Sequence, residues 1–135
     1  HFAKIRQVDT MKRKQFIKGV TQIAREGAIQ IFQEFNTGME EIIVGVVGVL
    51  QFDVLKFRLE SEYGVEIRME QLPYEHIRWI ENQEEIDITK LNVTSDTKKI
   101  KDMKENPLLL FVHAWSVTTV LERNKQLRLA EFRKN

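Results

Sequence analysis

The residues able to do chemistry in this chain are few and scattered. Three histidines (His1, His76, His113), three serines (Ser61, Ser95, Ser116) and the acidic pairs Glu40-Glu41 and Glu84-Glu85 are the candidates. A metal needs ligands that converge from spacings a fold can bring together, yet the histidines lie far apart and none has a glutamate at helical spacing. No serine sits in a G-x-S-x-G elbow, and the acidic pairs fall in polar stretches where carboxylates keep ordinary acidity. The six glycines, at 19, 27, 38, 45, 48 and 64, do not form the phosphate-cradling pattern G-x-x-x-x-G-K-[ST]. Asn124-Lys125-Gln126-Leu127 lacks the aspartate that would complete a guanine-reading N-K-x-D, so it reads as a helix end. The expectation is no catalytic, metal or nucleotide site within these residues.

What remains is charge. Lys12, Arg13, Lys14 and Lys18 form one basic cluster, and Lys98, Lys99, Lys101 and Lys104 a second. Such residues meet nucleic-acid phosphates without reading sequence, and all eight are candidate RNA contacts. The ordinary reading, that they line solvated faces, stands beside this one. The net charge of +1 conceals a marked asymmetry: residues 1–27 carry seven bases against two acids, 28–97 five against fourteen, and 98–135 nine against four. Basic ends around an acidic middle suit a surface facing nucleic acid, or segments that neutralise one another in the fold.

These clusters need elements to hold them. Phe2–Val8 alternates as a strand and ends at Asp9, a side chain able to cap the next helix. Phe16, Val20, Ile23 and Ala24 recur at helical spacing within residues 11–27, and Gly27 supplies a left-handed stop. AIQIFQEF and EEIIVGVVG flank the turn cluster Asn36-Thr37-Gly38 as a hairpin, the second strand apolar on both sides and therefore central. Residues 48–64 read as a helix closed by Gly64, and 65–73 as a strand ended by Pro73. This βαββαβ order is that of a ferredoxin-like unit, an antiparallel sheet with two helices on one face. Its expected core is Ile5, Phe16, Val20, Ile23, Ile31, Val44, Val46, Leu55, Leu59, Ile67 and Met69.

After Pro73 come HIRWIEN, a polar segment, a candidate edge strand TKKIKDM, the apolar LLLFVH, a short helix AWSVTTVLERN and a last strand QLRLAEF. They suggest a second, abbreviated α/β copy of the first. The fold class is therefore α+β, with subdomains 1–73 and 74–135 packed as one compact domain. The second helix carries apolar residues on two sides: Phe52, Leu55, Leu59 and Tyr63 on one arc, and Leu50, Val54 and Phe57 nearly opposite. The second arc is expected to pack on the C-terminal half, the alternative being an exposed patch that docks on a missing domain.

Length and composition fit one ordinary domain, with 42% apolar residues to build a core. No cysteine is present, which excludes disulfides and suits a reducing compartment such as the cytoplasm. No apolar run reaches the roughly 18 residues that span a bilayer, so no membrane partner is expected. The chain begins with His in a strand-like segment, which suggests a piece of a longer polypeptide. RNA recognition by base stacking on a ferredoxin-like sheet needs aromatic residues on central strands, and Ile42–Val47 has none.

Lys18-Gly19-Val20, Glu26-Gly27-Ala28-Ile29-Gln30-Ile31-Phe32 and Ile43-Val44-Gly45-Val46-Val47-Gly48-Val49-Leu50-Gln51-Phe52-Asp53-Val54 carry a family resemblance, extended by Arg58-Leu59, Ser61-Glu62-Tyr63 and Arg78-Trp79. The chain resembles the C-terminal, third domain of bacterial peptide chain release factor 3, the class II release factors among the translational GTPases. The match is densest over residues 11–82 and thin over 83–106. The resemblance implies a non-catalytic domain of a GTP-dependent factor that promotes departure of class I release factors from the ribosome in translation termination. It implies contact with the small ribosomal subunit, through RNA or protein, and with other domains of the same chain. GTP and Mg²⁺ would be bound by an N-terminal domain outside these residues. The equivalent domain of another GTPase related to elongation factor G shares G-V-L-Q-F-D and is the alternative; a small stand-alone enzyme is a third reading.

Overall fold

A computed structural model describes residues 1–35 and 37–132. The chain divides into two units, His1–Leu72 and Pro73–Asn135. In the first, the alternation of β1 (Phe2–Gln7) buries Ala3, Ile5 and Gln7 while Arg6 faces solvent. Asp9 Oδ1 accepts a hydrogen bond from the Met11 amide at 2.9 Å, opening a 3-10 turn over Thr10–Lys12 that leads into α1 (Arg13–Arg25). Gly27 follows at φ +84°, a conformation that glycine adopts without a Cβ clash and that stops the helix. The hairpin strands are β2 (Gln30–Glu34) and β3 (Glu41–Gly45). Of the expected turn between them, Asn36 lies outside the described residues, and the Thr37 hydroxyl donates to the Glu34 carbonyl at 2.9 Å. Next come α2 (Leu50–Tyr63), closed by Gly64 at φ +67°, and β4 (Ile67–Leu72).

Within this unit the strand order is β4-β1-β3-β2, all antiparallel, the ferredoxin-like arrangement. Every residue of the expected core is buried or packs against the buried cluster, which also takes in Ala3, Ile29, Ile42, Phe52 and Val65. The helices meet closely at Gly19, where a Cβ would lie 2.6 Å from Leu59 Cδ2 and 3.0 Å from the Tyr63 ring. Phe52, Leu55 and Leu59 are buried, and Leu50, Val54 and Phe57 on the opposite arc of α2 are 73%, 45% and 69% exposed. Periodicity identified both arcs.

The second unit repeats the order in reduced form. β5 (His76–Ile80), β6 (Lys98–Asp102), β7 (Pro107–Phe111), α3 (Ala114–Arg123) and the two-residue β8 (Leu129–Ala130) give a strand order β8-β5-β7-β6. Strand for strand this is the order of the first unit. Where the first unit has α1, the second has 3-10 turns at Gln83–Glu85 and Ile88–Lys90. Side-chain hydrogen bonds hold the segments around these turns. Buried Asn82 donates to the Gln126 carbonyl at 2.7 Å and accepts from the Arg128 amide at 3.0 Å. Asn124 both donates to and accepts from the backbone of Asn92, at 2.8 and 3.0 Å. The last strand is shorter than QLRLAEF suggests.

Candidate nucleic-acid interface

The first basic cluster is set out by the helix it lies on. Burying Phe16, Gly19, Val20 and Ile23 against the sheet and α2 turns the opposite side of α1 to solvent. At about 100° per residue, Lys14, Lys18 and Arg25 fall within one narrow arc of that side. All three are exposed, and among the described residues none has an ion-pair partner. Lys12 belongs to the preceding 3-10 turn and is half-buried. Arg13 lies elsewhere on the helix surface, 3.7 Å from Glu40. The structure therefore resolves the four-residue cluster into a stripe and two peripheral members. Arg25, absent from the sequence candidates, completes the stripe; its i+7 spacing from Lys18 was the signal available.

The second cluster behaves differently. Lys99 donates to the carbonyls of Leu91 at 2.9 Å and Thr89 at 3.2 Å. Lys101 is paired with Glu105 at 2.9 Å, and Lys98 is also engaged within the fold. Lys104 is exposed on the β6–β7 turn, a turn organised by buried Asp102, which accepts from the amides of Lys104 and Asn106. Of these four, Lys104 is the one without an ion-pair partner among the described residues. The sequence showed both clusters as runs of like charge and could not separate ammonium groups tied to the fold from free ones.

Two groups of charges elsewhere in the first unit are paired within the fold. Lys4 reaches Glu34 at 3.4 Å and Glu41 at 3.6 Å; burial alone would lower its pKa, but the two carboxylates outweigh that and raise it. The depression of about 720 Å³ beside it is lined by Lys4, Arg6, Lys56 and Arg68 together with Glu41, Glu66 and Glu70, with Arg6 and Arg68 in register opposite each other on β1 and β4. Arg58 on α2 donates to Glu62 at 2.7 Å and to Glu26. Those hydrogen bonds hold both carboxyls below the usual glutamate range and raise the guanidinium further.

The residues named for chemistry do not converge. Ser116 is fully buried on α3 with its hydroxyl unpartnered, Ser61 donates to the Phe57 carbonyl at 2.8 Å, and Ser95 is exposed. His113 is stacked on Trp115 with ring centroids 5.4 Å apart. Among the described residues no group of three or more acids and histidines is placed to hold a metal, and no helix is long and apolar enough to cross a membrane. The glycines hold structural positions. Gly19 is packed on Leu59 and Tyr63, Gly45 lies between Phe2 and Phe32, Gly27 and Gly64 end helices, and Gly38 faces Glu40. Gly48 is flanked by exposed Val47 and Val49 rather than by a phosphate-binding lysine.

Comparison with known proteins shows the family of the chain. Residues 1–121 match the family model described as class II release factor RF3, C-terminal domain. The chain is 40% identical over 131 residues to peptide chain release factor 3 of Gloeobacter violaceus, covering 97% of this chain and 25% of that protein. It is 40% identical over 127 residues to the Symbiobacterium thermophilum protein of the same name, covering 94% and 24%, and 38% identical over 129 residues to that of Nostoc punctiforme, covering 96% and 24%. The chain thus spans about a quarter of the length of the curated relatives it matches. This chain belongs to the C-terminal domain family of class II peptide chain release factors.

Proposed function

We propose that this chain is the ribosome-docking C-terminal part of a GTP-dependent class II release factor, working in the cytoplasm to promote departure of class I release factors during termination. GTP and Mg²⁺ belong, on this reading, to a domain outside these residues, and the fragment performs no catalysis. Its contribution is placement. A ferredoxin-like body fixes α1 so that Lys14, Lys18 and Arg25 meet the phosphates of ribosomal RNA as a preformed stripe, giving affinity and orientation without reading sequence.

The observation that carries this reading is the contrast between the clusters. Lysines of β6 are absorbed by carbonyls and carboxylates of their own fold, while the exposed α1 stripe has no ion-pair partner among the described residues. Lys104 is a subsidiary contact; Lys12 and Arg13 flank the main one. The test is ribosome binding by the full-length factor with Lys14→Glu, Lys18→Glu and Arg25→Glu combined. The expected outcome is weaker binding, by a factor that shrinks as salt rises and screens the contact. Binding equal to that of the unaltered factor at both low and high salt would remove α1 from the ribosome-facing surface.

A further inference from the structure

One arc of α2 presents apolar side chains to solvent. Leu50, Val54 and Phe57 share it, and the loop leading into the helix adds Val47, 98% exposed, and Val49. Five large apolar side chains thus stand together on one unit, and contiguous apolar surface of this kind marks an interaction site. The rest of α2 shows why they are not there for its own fold. Phe52, Leu55 and Leu59 already seat the helix on the sheet and α1.

Two observations identify what covers the arc. The matched relatives hold about three quarters of their length outside this match, and the family model is that of a C-terminal domain, which puts the remainder before residue 1. In the structure, the His1 nitrogen donates to the Val46 carbonyl at 3.0 Å, and the Val46 amide donates back to the His1 carbonyl at 2.9 Å. A polypeptide arriving at His1 is therefore delivered beside Val46, one residue from Val47, where the apolar surface begins. Tethering at that point raises the effective concentration of the preceding segment over the arc.

We propose that Val47, Val49, Leu50, Val54 and Phe57 form the seat for the portion of the same polypeptide that precedes residue 1, docked through an apolar surface of its own. This deepens the release-factor reading and rests on it. The arc lies on α2, whereas the cationic stripe lies on α1, so one element holds the upstream polypeptide while another serves the ribosome.

The test is made off the ribosome, so that its outcome and that of the salt-dependent ribosome assay are independent. Phe57→Cys, in a chain that otherwise lacks cysteine, is labelled with a maleimide in the 135-residue protein and in the full-length factor, with the modified peptide quantified by mass. Labelling at position 57 is expected to slow by about tenfold or more in the full-length factor, while Lys14→Cys labels at one rate in both. Adding Leu50→Glu to the full-length factor should restore fast labelling at position 57. Equal rates at position 57 in the two proteins would overturn the proposal. So would slow labelling in the 135-residue protein that speeds up on dilution, because a second copy would then be the cover.

Discussion

Arg58 ties the end of α1 to α2 by holding Glu26 and Glu62 at once, and this residue-scale device has a defined pH signature. Both glutamates are held below their ordinary value of 4.5 by the guanidinium hydrogen bonds, so they bind protons less readily folded than unfolded. Their contribution is complete above pH 4.5 and is lost as pH falls through the lowered folded values. Arg58→Met should therefore reduce stability at neutral pH modestly, since the groups are exposed and screened. It should also flatten the decline below pH 4.5. Urea unfolding midpoints of the two proteins between pH 3 and 7 would show this as curves that converge toward acid. Curves that stay parallel would mean that Arg58 does not hold the two carboxyls below their ordinary range.

At the scale of elements, the contact of α1 with α2 positions everything on both outer faces. Gly19→Ala would place a methyl 2.6 Å from Leu59 Cδ2 and 3.0 Å from the Tyr63 ring, and overpacking of this kind costs about 1–3 kcal/mol. Denaturant melts should show that loss, and Gly19→Ala should cost less when introduced into a Leu59→Ala protein because the two side chains compete for one space. A Gly19→Ala protein as stable as the original would mean that the helices are not in close contact. These elements were legible because their signals are local: alternation for β1, the 3.6-residue recurrence of Phe16, Val20 and Ile23, and glycines 27 and 64 as stops. What covers an apolar arc is not local, and so the periodicity of Leu50, Val54 and Phe57 gave their shared face but not its exposure. The fate of the lysines was hidden for a similar reason. Whether Lys99 is free depends on carbonyls at residues 89 and 91 placed by 3-10 turns, and short turns leave little periodic trace.

For the molecule as a whole, both units carry the same strand order, with α1 in one replaced by pinned 3-10 turns in the other. The second unit was read from sequence as an abbreviated copy because LLLFVH and AWSVTTVLERN kept strand and helix patterns, although no residue-level repeat marks it. The connection between the units, Pro73–Glu75, is three residues long, and we propose that the two unfold as a single cooperative body. Calorimetry of the 135-residue chain should then give one transition with equal calorimetric and van't Hoff enthalpies, and two resolved transitions would count against it. The broader proposal, that the body exists to hold a cationic stripe against ribosomal phosphate, is tested most directly by the slope of log binding constant against log salt for the full-length factor on ribosomes. Reversing Lys14, Lys18 and Arg25 should make that slope shallower by about 2 to 3, one contact per charge removed. A slope identical to that of the unaltered factor would contradict the account.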